Sequence, residues 1–280
     1  MPELPEVETI VRGLRQKIKA NQIIKTSILR QRSLVKGSLD PQILVNQEII
    51  DVERRGKLIV LKCQNKDDKE PYYFIVHLRM TGALLLKEAA DQPDIHTKLT
   101  LTLKDSLDNI QQLFFHDIRG FGQIFVTKES GLNKWSFWQN LGPEPLSLEL
   151  DTFKEILQKF KGKAIKALLL DQGALAGIGN IYADESLFKA KLNPKRKAGS
   201  LNESEIANLL AAIKENLTTS IENGGTTFRN YQDVNGQHGH NQEHLLVYGR
   251  GGEKCPVCGH LLEKITVAGR GTVICQHCQK

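Results

Sequence analysis

The chain has 280 residues, 40% hydrophobic and 25% charged, a balance that suits a globular protein with a sizeable core and room for two domains. No apolar run reaches the roughly 20 residues that a membrane helix needs, and the first twenty residues lack the basic, apolar, small-residue order of a signal peptide. A cytoplasmic setting with reduced thiols and no membrane partner is therefore expected, and the formal charge of +6 suits a polyanionic partner, though many proteins carry such a charge without one.

The chain opens with MPELPEVETIVRGL, an acidic, proline-punctuated stretch in an otherwise basic protein. Val7, Ile10, Val11, Leu14 and Ile18 follow the spacing of one helix face. Pro5 suits the first turn of that helix, and Glu6 and Glu8 suit the positive end of its dipole. The period then changes. QIIKTSILRQ, IIDVERRGKLIVLKC, YYFIVHLRMTGALLL, HTKLTLTLKD and QLFFHDIRGFGQIFVTK are rich in β-branched and aromatic residues and are separated by polar or Gly breaks. They predict an antiparallel β-sandwich or barrel of about eight strands over residues 1–135. Cys63, isolated in an apolar run, reads as a buried small hydrophobe.

Residues 136–150, with Gly142 and two prolines, read as a linker. Helical patterns follow in DTFKEILQKFKG, KAIKALLLDQ, GNIYADESLFKAKL and NESEIANLLAAIKENLTTSIENGG, with Asp151 and Asn202 as candidate N-caps and Gly224 as a stop. The helical domain is expected to cover 151–250, with a polar, Gly-rich functional loop at 224–247 and a separate small unit at 251–280. The fold class is thus α+β and multidomain. The basic run KLNPKRKAG reads as solvated surface.

The last unit carries Cys255-x2-Cys258 and Cys275-x2-Cys278, the spacing of a zinc ribbon. Two such knuckles make a closed tetrahedral thiolate site, so one Zn2+ is expected there in a structural role. Thirty residues have too little core to fold alone, so the metal would supply much of the stability. With four thiolates and the ion counted, the formal charge falls from +6 to +4. The intervening KITVAGRGTVIC predicts a hairpin with Gly269, Arg270 and Gly271 at its turn. An Arg held there can grip a phosphate, or can simply be solvated.

The opening stretch also has a chemical reading. If Met1 is removed, which a small second residue permits, Pro2 becomes a free secondary amine. Roughly one α-amino group in seven is unprotonated at pH 7, against about four lysines in ten thousand. A secondary amine attacking an aldehyde-level carbon gives an iminium that stays cationic, an electron sink suited to elimination. Glu3 lies next to it as a proton donor, and Glu6, one helical turn on, could help to align them. Pro and Glu at a helix start also need no function at all.

PELPEVE at 2–8, together with the terminal four-cysteine finger, resembles the formamidopyrimidine-DNA glycosylase family. The resemblance runs the full length through RRGKLIV (54–60), HLRMTG (77–82), HDIRGFG (116–122), LGPEPL (141–146), GIGNIYADE (177–185), GGTT (224–227) and VYGR (247–250), in the family's order. The opening resembles this branch more than the related endonuclease VIII branch. The resemblance implies a helix–two-turns–helix motif in the helical domain and a bifunctional enzyme. Such an enzyme excises oxidised purines (8-oxoguanine and formamidopyrimidines) from duplex DNA through an N-terminal proline Schiff base, and cuts the strand by β,δ-elimination.

It further implies that Pro2 is the nucleophile and Glu3 the proton donor, with Glu6 and Lys57 in the catalytic group. Met80, Arg119 and Phe121 would fill the stack left by the extruded nucleotide, and Lys57, Asn180 and Arg270 would hold phosphates around the lesion. His77 and Lys163 are lesser candidates for DNA contacts. Damaged double-stranded DNA is the implied partner, a monomer is the default, and GIGN lacks the third glycine of a nucleotide-cofactor fingerprint. Two departures stand out: Asn241 where many relatives carry an aromatic residue in the loop over the extruded base, and Thr81 beside Met80. A glycosylase preferring oxidised pyrimidines is an alternative. So is a non-catalytic DNA-binding relative, although that would be expected to have lost Pro2, Glu3 or Lys57, all present here.

Overall fold

The computed structural model describes residues 1–228 and 231–280 as two compact units, 1–139 with 224–240 and 140–223 with 241–280. In the first unit, helix α1 (Leu4–Ile18) precedes eight antiparallel strands: β1 (Gln22–Ile28), β2 (Glu48–Arg55), β3 (Leu58–Gln64), β4 (Tyr72–His77), β5 (Gly82–Glu88), β6 (Thr97–Lys104), β7 (Ile110–Asp117) and β8 (Gln123–Lys128). Their order is β5-β7-β6-β1-β2-β3-β4-β8, but β1 and β2 meet only at Gln22–Glu48. The ladder therefore divides into two four-stranded halves, as in a sandwich.

The alternating strand pattern fills the space between those halves. Ile59, Leu61, Phe74, Val76, Ile124 and Val126 share one core with Leu99, Leu101, Leu103, Leu113 and Phe115. Helix α1 adds the five apolar residues read from its spacing, each at most 1% exposed. Cys63 lies in the same core, where burial pushes its thiol up to about 12.

The loop from 224 packs with this first unit, not with the helical domain to which the sequence pattern attached it. Two anchors hidden in that polar segment account for this. Tyr231 and Val234 join the α1 core, and Val234 closes on Gly13, where a Cβ would lie 2.8 Å from its methyl carbon.

Two one-turn helices, α2 (Glu129–Leu132) and α3 (Ser136–Gln139), end the continuous part of the first unit. The second unit begins within the stretch read as a linker, which is closely packed: Gly142 N–H donates to Gln172 O at 2.8 Å, and a Cβ on Gly142 would lie 2.6 Å from the Ala174 backbone. Helices α4 (Leu150–Lys159), α5 (Ile165–Leu170), α6 (Asn180–Lys189) and α7 (Glu203–Glu222) follow. Asp151 lies in the first turn of α4, whose N-cap is Glu149; Asn202 does cap α7, in a reciprocal box with Glu205.

The finger forms a hairpin of β9 (Glu263–Val267) and β10 (Arg270–Ile274). Its turn is Ala268–Gly269, both at positive φ, so Arg270 and Gly271 belong to β10 and not to the tip as the sequence suggested. Among the described residues no helix is long and apolar enough to cross a membrane.

Candidate nucleic-acid interface and reactive N-terminus

Pro2 and Glu3 are buried immediately ahead of α1, while Met1 is 51% exposed. Glu6, 1% exposed, accepts from two backbone donors: Glu3 N–H at 2.7 Å through Oε2 and Thr226 N–H at 2.8 Å through Oε1. It thereby fastens the helix start to the 224–240 loop. Tyr231 Oη donates to Gly224 O at 3.0 Å and reaches Glu6 O at 3.4 Å. Burial and the Glu6 charge both push that phenol well above its ordinary range, so it acts as a donor. Gly225 needs its freedom here: its φ is +84°, and a Cβ would lie 3.1 Å from both Glu6 and Tyr231.

Lys57, 6% exposed, occupies the two-residue turn Gly56–Lys57 between β2 and β3. The turn is tied to α1 by Arg54, which donates to Gly56 O at 3.1 Å and pairs with Glu8 at 2.8 Å. Burial raises the Glu8 carboxyl, but the Arg12 and Arg54 guanidiniums outweigh it and hold the group below its usual range. Lys57 adjoins Leu58, which pairs with His77 across the sheet. Burial first, then the charges of Arg79 and Lys57, push the His77 imidazole down to about 3. His77 is therefore neutral. Its Nδ1 accepts from Arg79 N–H at 3.0 Å, which leaves Nε2–H as the donor for any contact.

Two other turns carry the wedge candidates. Met80 lies in the β4–β5 turn at 44% exposure, and Phe121 in the β7–β8 turn at 55%. The Arg119 guanidinium lies 4.9 Å from the centre of the Phe121 ring. Large exposed side chains of this kind, two of them apolar, need a partner or a solvent excuse.

In the second unit, Asn180 opens α6, and its Nδ2 donates to Gly271 O at 3.0 Å, next to the exposed Arg270. The same strand is gripped by Lys166, a fully buried cation that neither periodicity nor spacing singled out. Lys166 Nζ reaches Asp184 at 2.6 Å, Thr272 Oγ1 at 2.6 Å and Gly271 O at 3.3 Å. Burial raises the Asp184 carboxyl to about 6 against the pull of Lys166. Glu185 accepts from the N–H groups of Leu246, Val247 and Tyr248 at 2.8–2.9 Å, which explains why VYGR follows an otherwise irregular loop. Asn241 is buried and accepts from Asn223 Nδ2 at 3.4 Å, closing the end of α7. Lys163 is already engaged, paired with Asp171 at 2.6 Å and lying over the Phe160 ring.

The sulfurs of Cys255, Cys258, Cys275 and Cys278 lie within 4.8 Å of one another, with Cys255–Cys278 at 3.9 Å and Cys258–Cys275 at 3.4 Å. Bonds of about 2.3 Å in a tetrahedron put sulfur edges about 3.8 Å apart, so the donor set fits one structural zinc. Bound there, the ion would cross-link the Cys255–Cys258 and Cys275–Cys278 knuckles.

Three family models match in sequence: the formamidopyrimidine-DNA glycosylase N-terminal domain over residues 1–124, the formamidopyrimidine-DNA glycosylase H2TH domain over 141–232, and the zinc finger found in FPG and IleRS over 252–280. A curated formamidopyrimidine-DNA glycosylase from Herpetosiphon aurantiacus is 44% identical over 284 residues, with all of both chains covered. Among solved structures, a mutant Lactococcus lactis FPG in complex with DNA containing Fapy-dG is similar at a TM-score of 0.88 and 36% identity, with both chains fully covered. The Lactococcus lactis Fpg complex with DNA containing an abasic site is similar at 0.87 and 36%, covering 99% of each chain.

Proposed function

The chain belongs to the formamidopyrimidine-DNA glycosylase family and is a DNA glycosylase of base excision repair; from that premise we propose that it is also a lyase, acting through Pro2 on oxidised purines in duplex DNA. The observation that carries the lyase reading is the buried Pro2–Glu3 pair at the mouth of α1, behind an exposed Met1. With Met1 removed, the Pro2 nitrogen attacks C1′ of the damaged nucleoside. The C1′–N bond to the base breaks, and the base leaves with a proton. The ring C1′–O4′ bond opens as O4′ takes a proton from Glu3, leaving a cationic Pro2–C1′ iminium. Loss of a C2′ proton then expels the 3′ phosphate, and a second elimination expels the 5′ phosphate.

The nucleotide must leave the stack before its C1′ is reachable, at a cost of a few kcal/mol. Met80 and Phe121 replace the lost stacking, and Arg119 hydrogen-bonds the orphaned base. Lys57, Asn180 and Arg270 hold the phosphates around the lesion, with Lys57 also beside the reaction. His77 adds a neutral donor, and Lys163 can contribute only by giving up part of its pairing with Asp171. Glu6 aligns Pro2 and Glu3 through its bond to Glu3 N–H.

Borohydride added to the protein and a duplex carrying one 8-oxoguanine should trap a covalent adduct whose tryptic peptide carries the sugar on Pro2. An adduct on a lysine, or none from a processed chain that binds the duplex tightly, would overturn the assignment. The same assay with an oxidised pyrimidine separates the lesion classes.

The zinc finger enters through Arg270. Stripping the zinc with a chelator, or replacing Cys258 with Ser, should weaken duplex affinity about tenfold or more and flatten its salt dependence as a phosphate contact is lost. Titration by fluorescence anisotropy at two salt concentrations measures both. An unchanged Kd would detach the finger from DNA binding.

A further inference from the structure

We propose that Asp117 is a positioning residue for lesion extrusion, locking the turns that carry Met80, Arg119 and Phe121 into one arrangement. This rests on the reading of those three side chains as the wedge. Asp117 ends β7 and is fully buried. Its Oδ1 accepts from Thr81 Oγ1 at 2.5 Å, and its Oδ2 from Gly122 N–H at 2.7 Å. Thr81 follows Met80 in the chain, and Gly122 follows Phe121. Thr81 Oγ1 accepts in turn from Arg119 N–H at 3.1 Å. One carboxylate thus reaches the residue beside each apolar wedge and, through a hydroxyl, the backbone of the third.

The surroundings are built for this contact. Asp117 N–H donates to His96 O at 2.9 Å, and Gly82 pairs with Asp117 across the sheet. Gly122 is needed for the approach to Asp117, and Gly82 for the tight turn that carries Met80. A Cβ on Gly82 would lie 2.4 Å from Leu78 O, and one on Gly122 would lie 2.4 Å from Phe115 Cζ and 3.1 Å from Asp117 Oδ2. Lys98, also buried, supplies an opposing charge: burial lowers its pKa, and the Asp117 charge acts against that shift. The wedge tips remain exposed while their anchor is inaccessible. A side chain that must enter a base stack gains from being ordered beforehand, because ordering it during entry consumes binding free energy.

Asp117→Asn keeps the shape but removes the charge and leaves one acceptor oxygen where the carboxylate has two, so Gly122 N–H and the Thr81 hydroxyl can no longer both donate to it. Thr81→Val removes the bridging hydroxyl at nearly constant volume, and Thr81→Ser restores it. Single-turnover excision from a duplex containing an oxidised purine should fall about tenfold or more in Asp117→Asn and Thr81→Val. Cleavage of a preformed abasic site, which has no base to unstack, should fall much less. A 2-aminopurine next to the lesion should show slower unstacking, and Thr81→Ser should recover it. If Asp117→Asn does not fold, the Thr81 pair still decides.

Equal losses on both substrates, or wild-type excision and unstacking in Thr81→Val, would overturn the proposal. Failure of the wild-type protein itself to excise an oxidised purine while cleaving abasic DNA would instead count against the substrate reading.

Discussion

A chain that keeps one unremoved residue ahead of Pro2 should lose both base removal and strand cleavage, by about a thousandfold or more. The added residue converts the Pro2 nitrogen into an amide, whose lone pair is committed to the peptide bond and cannot attack C1′. The fold should tolerate the change, since Met1 already projects into solvent at 51% exposure and α1 begins only at Leu4. DNA affinity should therefore survive, and binding without turnover is the signature to seek in a single-turnover assay on a duplex carrying 8-oxoguanine. Full strand cleavage by the blocked chain would move the nucleophile elsewhere, with Lys57 the nearest buried amine in the sequence.

Glu3→Gln should leave binding intact and slow excision from an intact damaged nucleotide by about a hundredfold to ten-thousandfold, the range of general acid catalysis. The substitution is nearly isosteric at a buried site, and the backbone N–H that Glu6 accepts is retained. A structural role alone would lower thermal stability and affect all substrates alike. An acid role spares a preformed abasic site, whose sugar already opens spontaneously to the aldehyde. The ratio of the two rates is the decisive number, and normal turnover on the intact lesion would remove Glu3 from the mechanism.

Much of this was legible in the sequence because it is local or periodic. The apolar face of α1 follows from five positions, the strands from β-branched and aromatic runs between polar or Gly breaks, and the metal site from two Cys-x2-Cys pairs. What escaped is carried by contacts with no local signature. Asp117 meets Thr81 across 36 positions, and the charge pair Lys166–Asp184 is buried where composition rules expect solvated groups. The 224–240 segment looked like free loop because two anchors, Tyr231 and Val234, are outvoted by polar neighbours. The finger turn was misplaced by one step because Ala268, not a second glycine, takes the left-handed conformation beside Gly269.

Glu6 ties the start of the chain to a segment more than 200 residues later, since one carboxylate serves both Glu3 N–H and Thr226 N–H. Sharing of this kind is thermodynamically reciprocal. Coupling through Glu6 favours the helix start and the docked loop by the same factor. A change that frays the helix start is therefore expected to loosen the loop as well. The seat of Pro2 and Glu3 and the loop at Thr226 thus share one buried acceptor, so a rearrangement of either is felt by the other.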